Sequence, residues 1–168
     1  MASTPLHERR PFAGHSPDQP RPLGGYGVLM SAFLAAAGGF GAWLRHSGGT
    51  LPEHPSPRDL ALVTVATHKV SRLVAKDRVT STVRAPFTRF QDDAGPGEVS
   101  EAARGRGLRR AIGELLVCPY CLSMWVAAGF TAGLIAAPRP TRWVASVFAT
   151  VFGADLLQMA YKKAEEAL

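Results

Sequence analysis

The sequence predicts an all-α, polytopic membrane protein with about four transmembrane helices, short hairpins and one long basic cytoplasmic loop. Three observations carry this expectation. Charged residues make up 19% of the chain, below the roughly 25% usual for soluble domains. They are spread so unevenly that three stretches of about crossing length are nearly free of charge,. The Lys and Arg that remain collect in alternate connecting segments, the distribution that fixes orientation in a bilayer.

Met1 to Leu23 holds five prolines, scattered charge and no apolar period, so residues 1–23 are expected to be a disordered tail preceding a helical transmembrane domain at 24–168. Residues 24–44, "GGYGVLMSAFLAAAGGFGAWL", are 21 residues without a charge, about the length that crosses a hydrocarbon core. A cleavable signal peptide is the competing reading. The preceding tail is long for its basic region, however, and the apolar run exceeds its core.

The second span is expected at 57–76, although "LALVTVATHKVSRLVA" is interrupted by His68, Lys69 and Arg72. Ser56, Pro57 and Asp59 read as a capping box with proline at the first helical position. A helix of that length would measure about 30 Å. Thr64, His68 and Arg72 recur at helical spacing, flanked by Thr67 and Ser71, as one polar stripe on an otherwise Ala, Val and Leu surface; Lys69 lies off it,.

Residues 77–114 are hydrophilic, with a Gly-rich middle lacking any period, and are expected to be a flexible loop,. Residues 115–137 form 23 residues without a charge and supply a third span,. Residues 141–161, nearly apolar apart from Arg142, Asp155 and Gln158, supply a fourth,. Pro138 and Pro140 separate these two, with Thr141 placed to cap the last helix.

Loop charge distinguishes four spans from three. The tail holds three Lys or Arg, the long loop eight with Lys76, and the segment after Tyr161 two. The opposite segments hold two each, Arg58 included. With four spans the positive-inside rule puts the tail, the loop and both termini in the cytoplasm, at a bacterial inner membrane. With three, the asymmetry largely vanishes.

The net charge of +6 could alternatively mean nucleic acid, with Arg104 to Arg110, "RGRGLRR", as its best candidate. That cluster lacks interleaved aromatics and sits just before a span, which points to anionic headgroups instead. No nucleic-acid partner is expected. The partners expected are the lipid bilayer and another membrane or cytoplasmic protein.

Cys118-Pro119-Tyr120-Cys121 has the spacing of a dithiol redox motif. In a redox fold that spacing follows a strand and opens an amphipathic helix. Here "LSMWVAAGFTAGLIAA" follows, apolar on every face, and no strand pattern precedes,.

The segments "ATHKVSRLVAKDRVTSTVRAPF" and "ELLVCPYCLSMWVA" resemble a family of small bacterial membrane proteins, the domain of unknown function DUF1360. The resemblance covers roughly residues 58–161 and rests on Arg72, Asp77, Thr80, Arg84, Pro86 and Phe87, followed by Cys118, Pro119, Cys121 and Trp125. Ser123 stands where many relatives are expected to carry Gly. The resemblance implies a multi-span membrane protein and supplies no reaction.

Helical rise places Arg72 and Asp155 each about 21 to 23 Å from the outer helix ends, and Cys118 and Cys121 about 7 to 12 Å inside the cytoplasmic edge, at the same level. An ionisable group inside a bilayer seeks a partner, so Arg72 and Asp155 form the expected intramembrane charge pair, with His68 a turn higher as the alternative partner of Asp155. Cys118, Cys121 and His68 are the candidate thiol or metal site. Two thiolates are half a zinc shell, so zinc is the one cofactor worth naming; no catalytic residue and no resident metal or cofactor is assigned. Lipid attachment at a cysteine is a further alternative. Asp77, Thr80, Arg84, Pro86 and Phe87 form the candidate loop motif, in which Val83, Phe87 and Phe90 are expected to dip among headgroups while Arg84 and Arg89 meet phosphates. Gly129 with Gly133, and Ala35 with Gly39, have the small-residue spacing of helix contacts. Tyr26, Trp43, Trp143 and Tyr161 sit at span ends as interfacial anchors. The leading reading is a non-enzymatic membrane component acting through helix packing and cytoplasmic loop contacts. Its alternative is a membrane-embedded thiol site for disulfide exchange or metal binding.

Overall fold

The computed structural model describes residues 14–16 and 21–167; most of the tail expected at 1–23 lies outside the described residues. The chain is mostly helical: α1 is Leu23–His46, α2 Pro57–Lys76, α3 the single turn Ser81–Arg84, α4 Gly107–Val117, α5 Pro119–Ala136 and α6 Pro138–Glu165. Between α3 and α4, β1 (Thr88–Gly95) and β2 (Glu98–Ala103) pair antiparallel as a hairpin.

Among the described residues three helices, α1, α5 and α6, are long and apolar enough to cross a membrane. With 24, 18 and 28 residues, they measure about 36, 27 and 42 Å, against a hydrocarbon thickness of about 30 Å. Helix α2 has the length, at 20 residues, but Arg58, Asp59, Lys69 and Arg72 keep it from that class by composition.

Side-chain contacts give the direction of each helix. Gly25 lies against Gly107 and Ala111 of α4, and further along α1 the rings of Phe33 and Trp125 meet edge to face at 5.1 Å, so α1 runs parallel to α4 and α5. Helix α6 turns back on α5 at Ala137. Asp59 pairs with Arg142, and further along both helices Lys69 pairs with Asp155, so α2 runs alongside α6 and opposite to α5. The start of α1, the end of α2, the hairpin and α4 therefore gather at one end of the bundle. The end of α1, the start of α2 and the α5–α6 turn lie at the other.

Helix α2 packs chiefly on α5 and α6. Its buried stripe is Asp59, Val63, Ala66, Thr67, Ser71 and Ala75, a run of mostly small side chains that lets helices approach closely. The polar positions Thr64, His68 and Arg72 lie on the more exposed side of that stripe. Ser56 makes no side-chain cap bond, and Asp59, the partner it needs in the expected capping box, is held by Arg142.

Three boundaries differ from the sequence reading. The segment 77–114, expected as a loop without regular structure, contains α3, the hairpin and α4; Gly95 and Gly97 take positive φ at the hairpin turn, whereas Gly113 lies inside α4. The span expected at 115–137 begins at Pro119, since residues up to Val117 belong to α4. Proline forces its predecessor out of the helical region, and Cys118 is extended at φ −105° and ψ 101°,. The last helix starts at Pro138 and not at 141, because proline is at home in a first turn whose N–H groups need no helical partner. Thr141 hydrogen-bonds back to the Ala137 carbonyl instead of capping.

Candidate functional site

The loop motif read from the sequence converges on one side chain. Arg84 is completely buried, where the chain leaves α2 and enters the hairpin. Nη1 donates to the Val74 carbonyl and to Thr80 Oγ1, both at 2.6 Å, and Nη2 donates to the Asp77 carbonyl at 2.9 Å. The fork then closes on Glu101 of β2, with Nη2 to Oε1 at 2.9 Å and Nε to Oε2 at 3.1 Å. One guanidinium thus neutralises the exposed carbonyl end of α2 and ties it to a strand 17 residues later, using the planar fork that lysine lacks.

The remaining motif residues support that fork. Asp77 leaves the helix in an extended conformation, and its Oδ1 accepts from the Val79 N–H at 2.9 Å, turning the chain. Thr80 Oγ1 donates to the Leu73 carbonyl at 2.7 Å. The Pro86 carbonyl accepts two hydrogen bonds from Arg109 of α4, at 2.7 and 2.9 Å, and the Phe87 carbonyl accepts from the Arg104 N–H at 2.9 Å. Gly113 makes room for this junction: a Cβ there would stand 2.5 Å from the Phe87 carbonyl oxygen.

Sequence reading does not single out Glu101, yet it is the other half of the site. Its side chain is 5% exposed and also lies 2.7 Å from Ser81 Oγ and 2.5 Å from Thr88 Oγ1. Burial alone would raise its pKa; hydrogen bonds from Arg84, Thr88 and Ser81, with the Arg84 charge, outweigh burial and hold it below the ordinary glutamate value,. The signal that could have found it is chemical: an arginine sequestered in a turn requires a carboxylate within reach.

Arg84 is therefore unavailable to phosphates, contrary to the expectation for the amphipathic segment. Val83 and Phe90 are 59% and 60% exposed, and Val79 is 82% exposed. Part of the "RGRGLRR" cluster is likewise occupied internally, Arg109 on Pro86 and Arg110 on Glu114.

The expected Arg72–Asp155 pair does not form. Asp155 is held by Lys69, with Nζ to Oδ2 at 2.5 Å, while Arg72 forms a bidentate pair with Glu98 of β2, both bonds at 2.7 Å. The reason is rotational. Lys69 and Arg72 are three residues apart and so about 60° apart around α2; Lys69 reaches Asp155 on α6 and Arg72 reaches Glu98 of the hairpin. The His68 ring packs edge to face on Phe152, centroids 5.2 Å apart.

Cys118 and Cys121 are unbridged thiols. Cys118 occupies the N-cap of α5, where its Sγ accepts the Cys121 N–H at 3.2 Å. The Cys-Pro step is thus the corner between α4 and α5, with sulfur in the role an oxygen usually fills at a helix start. Among the described residues no three His, Cys, Asp or Glu side chains gather closely enough to hold a metal ion, so His68 is not brought into one ligand set with the two cysteines. Of the small-residue pairs, Gly133 is pressed against Thr141, whereas a Cβ on Gly39 or Gly129 would meet nothing within 4 Å.

With Arg84, the proline corner and the three apolar helices in place, the comparison with known families is decisive. Residues 62–161 match the family described as "Protein of unknown function (DUF1360)". The chain belongs to the DUF1360 family. It is also similar to the sporulation protein YjcA of Bacillus subtilis (strain 168), with 24% identity over 107 residues, 62% of this chain and 91% of that protein. No solved structure matches the chain. The DUF1360 match begins within α2 and ends within α6, so it encloses the Arg84–Glu101 latch, the hairpin and the proline corner.

Proposed function

We propose that this DUF1360 protein is a non-enzymatic component of a bacterial inner membrane, crossing it four times and presenting the hairpin with α4 to a protein partner at the cytoplasmic face. The observation that carries this reading is the course of α2. Its Asp59 end lies with the α5–α6 turn and its Lys76 end lies with the hairpin, the course expected of a helix that shares one membrane with α5 and α6. Three of the charges that disqualify α2 by composition are paired: Asp59 with Arg142, Lys69 with Asp155 and Arg72 with Glu98. Paired charges are the tolerable form of charge at membrane depth.

On this reading the hairpin side, which holds the excess of Lys and Arg, faces the cytoplasm, the orientation that the positive-inside rule favours,. Val79, Val83 and Phe90 form the apolar part of the docking face, with Arg89 and anionic headgroups beside it,. The reading assigns no cofactor and no catalytic residue.

Reporters or single cysteines placed at residues 50 and 95, in protein whose two native cysteines are replaced by serine, test the topology. Labelling of the two sites from opposite sides of the membrane is expected. Labelling from the same side would overturn the four-crossing reading.

A further inference from the structure

Helices α1 and α5 touch at Phe33 and Trp125 and then separate, leaving a cleft of about 1230 Å³ whose walls include Phe40, Gly41, Gly129 and Ile135. The lining is almost wholly apolar until the mouth, where Arg45 stands in the last turn of α1. Arg45 is exposed, and no carboxylate pairs with it among the described residues.

The dimensions select an occupant. From Phe33 to Leu44 the cleft extends about 17 Å along α1, close to half of the roughly 30 Å hydrocarbon thickness. Phe33 lies near the middle of α1 and Trp125 about 9 Å past the start of α5, so the aromatic pair closes the cleft well inside the membrane, short of the hairpin side, and Arg45 lies at the level of the headgroups. A transmembrane helix from another protein needs a groove running the full thickness, and this one stops short of it. A lipid tail is one leaflet long, and its phosphate would meet a cation where the tail leaves the cleft.

We propose that the α1–α5 cleft is a binding site for an anionic phospholipid of the leaflet opposite the hairpin, one acyl chain lying between Gly41 and Gly129 and the phosphate on Arg45. The site requires only that α1 and α5 cross, so it stands or falls independently of whether α2 does.

Trp125 at the floor of the cleft reports on it directly. The test uses full-length protein carrying Trp43→Phe and Trp143→Phe, reconstituted in vesicles containing phosphatidylglycerol or phosphatidylcholine with brominated acyl chains at equal mole fraction. Brominated phosphatidylglycerol is expected to quench Trp125 at least about twofold more efficiently than brominated phosphatidylcholine, as a charge-assisted contact at Arg45 requires. Arg45→Gln is expected to abolish that preference while both lipids still quench. Gly129→Leu, whose Cβ would meet nothing within 4 Å, is expected to reduce quenching by both. Equal quenching by the two lipids in otherwise native protein, or a preference that survives Arg45→Gln, overturns the proposal. So does efficient disulfide cross-linking of two copies through Gly41→Cys in a background without native cysteines, because the cleft would then hold a second copy of the chain.

Discussion

Removing the Arg84 guanidinium strands the Glu101 carboxylate, the Val74 and Asp77 carbonyls and two hydroxyls in a place water does not reach. Breaking one side of a buried ion pair costs about 3–5 kcal/mol, because the surviving charge keeps its desolvation penalty. Arg84→Ala and Glu101→Ala should each destabilise the hairpin by that order, read as accelerated proteolysis within residues 77–114. Arg84→Lys should recover little, since a single ammonium cannot serve the fork and the helix carbonyls together. The latch also predicts a pH dependence. The folded Glu101 pKa is the lower one, so protons bind the unfolded chain more readily. The stabilisation is complete above the ordinary glutamate pKa, declines as pH falls below it and is lost on passing the folded value. Thermal unfolding measured from neutral pH downward should show this decline, and Glu101→Gln should flatten it at a lower plateau. At this scale the sequence displays Asp77, Thr80, Arg84, Pro86 and Phe87 as a group. It does not display Glu101, because a carboxylate in a polar segment looks solvated until the hairpin register brings it under the guanidinium.

The elements meet where a side chain would not fit. A Cβ on Gly113 would collide with the Phe87 carbonyl, and one on Gly25 would stand 2.7 Å from the Ala111 Cβ. Gly113→Val should therefore force α4 away from the hairpin, and Gly25→Leu should separate α1 from α4; in each case reduced thermal stability in detergent is expected. Gly39→Ala, where nothing lies within 4 Å, should leave stability unchanged or slightly raised, as replacing helical glycine does. Spacing alone groups Gly39 with packing glycines, but spacing reports a helix face and not what that face meets. The proline corner is likewise visible as Pro119, while its effect is hidden. A long apolar run masks a helix break when the residues on both sides of it are apolar.

For the whole molecule, the test lies in the pairing of α2 with α6. Asp155→Asn leaves Lys69 without its counter-charge beside α6, and Lys69→Met does the converse to Asp155. Each single change should lower the melting temperature of the detergent-solubilised protein, and the double change to Lys69→Met with Asp155→Leu should restore much of the loss, since a well-packed apolar pair can replace a buried ionic one. Additive losses would mean that the two residues act independently.

That three apolar helices lie near residues 24–44, 115–137 and 141–161, and that α2 starts at Pro57, was legible in the sequence, whereas the starts of α5 at Pro119 and of α6 at Pro138 were not. The legible features are local properties, set by transfer free energy and backbone sterics that neighbouring residues alone decide. Which charge answers Asp155, that Glu101 closes on Arg84, and that residues 88–103 pair as a hairpin were decided only in the tertiary structure. Those outcomes depend on helix rotation and strand register. A shift of one residue turns a helical side chain by about 100° and moves a strand side chain to the opposite face, so partners far apart in the chain are selected only when the elements dock.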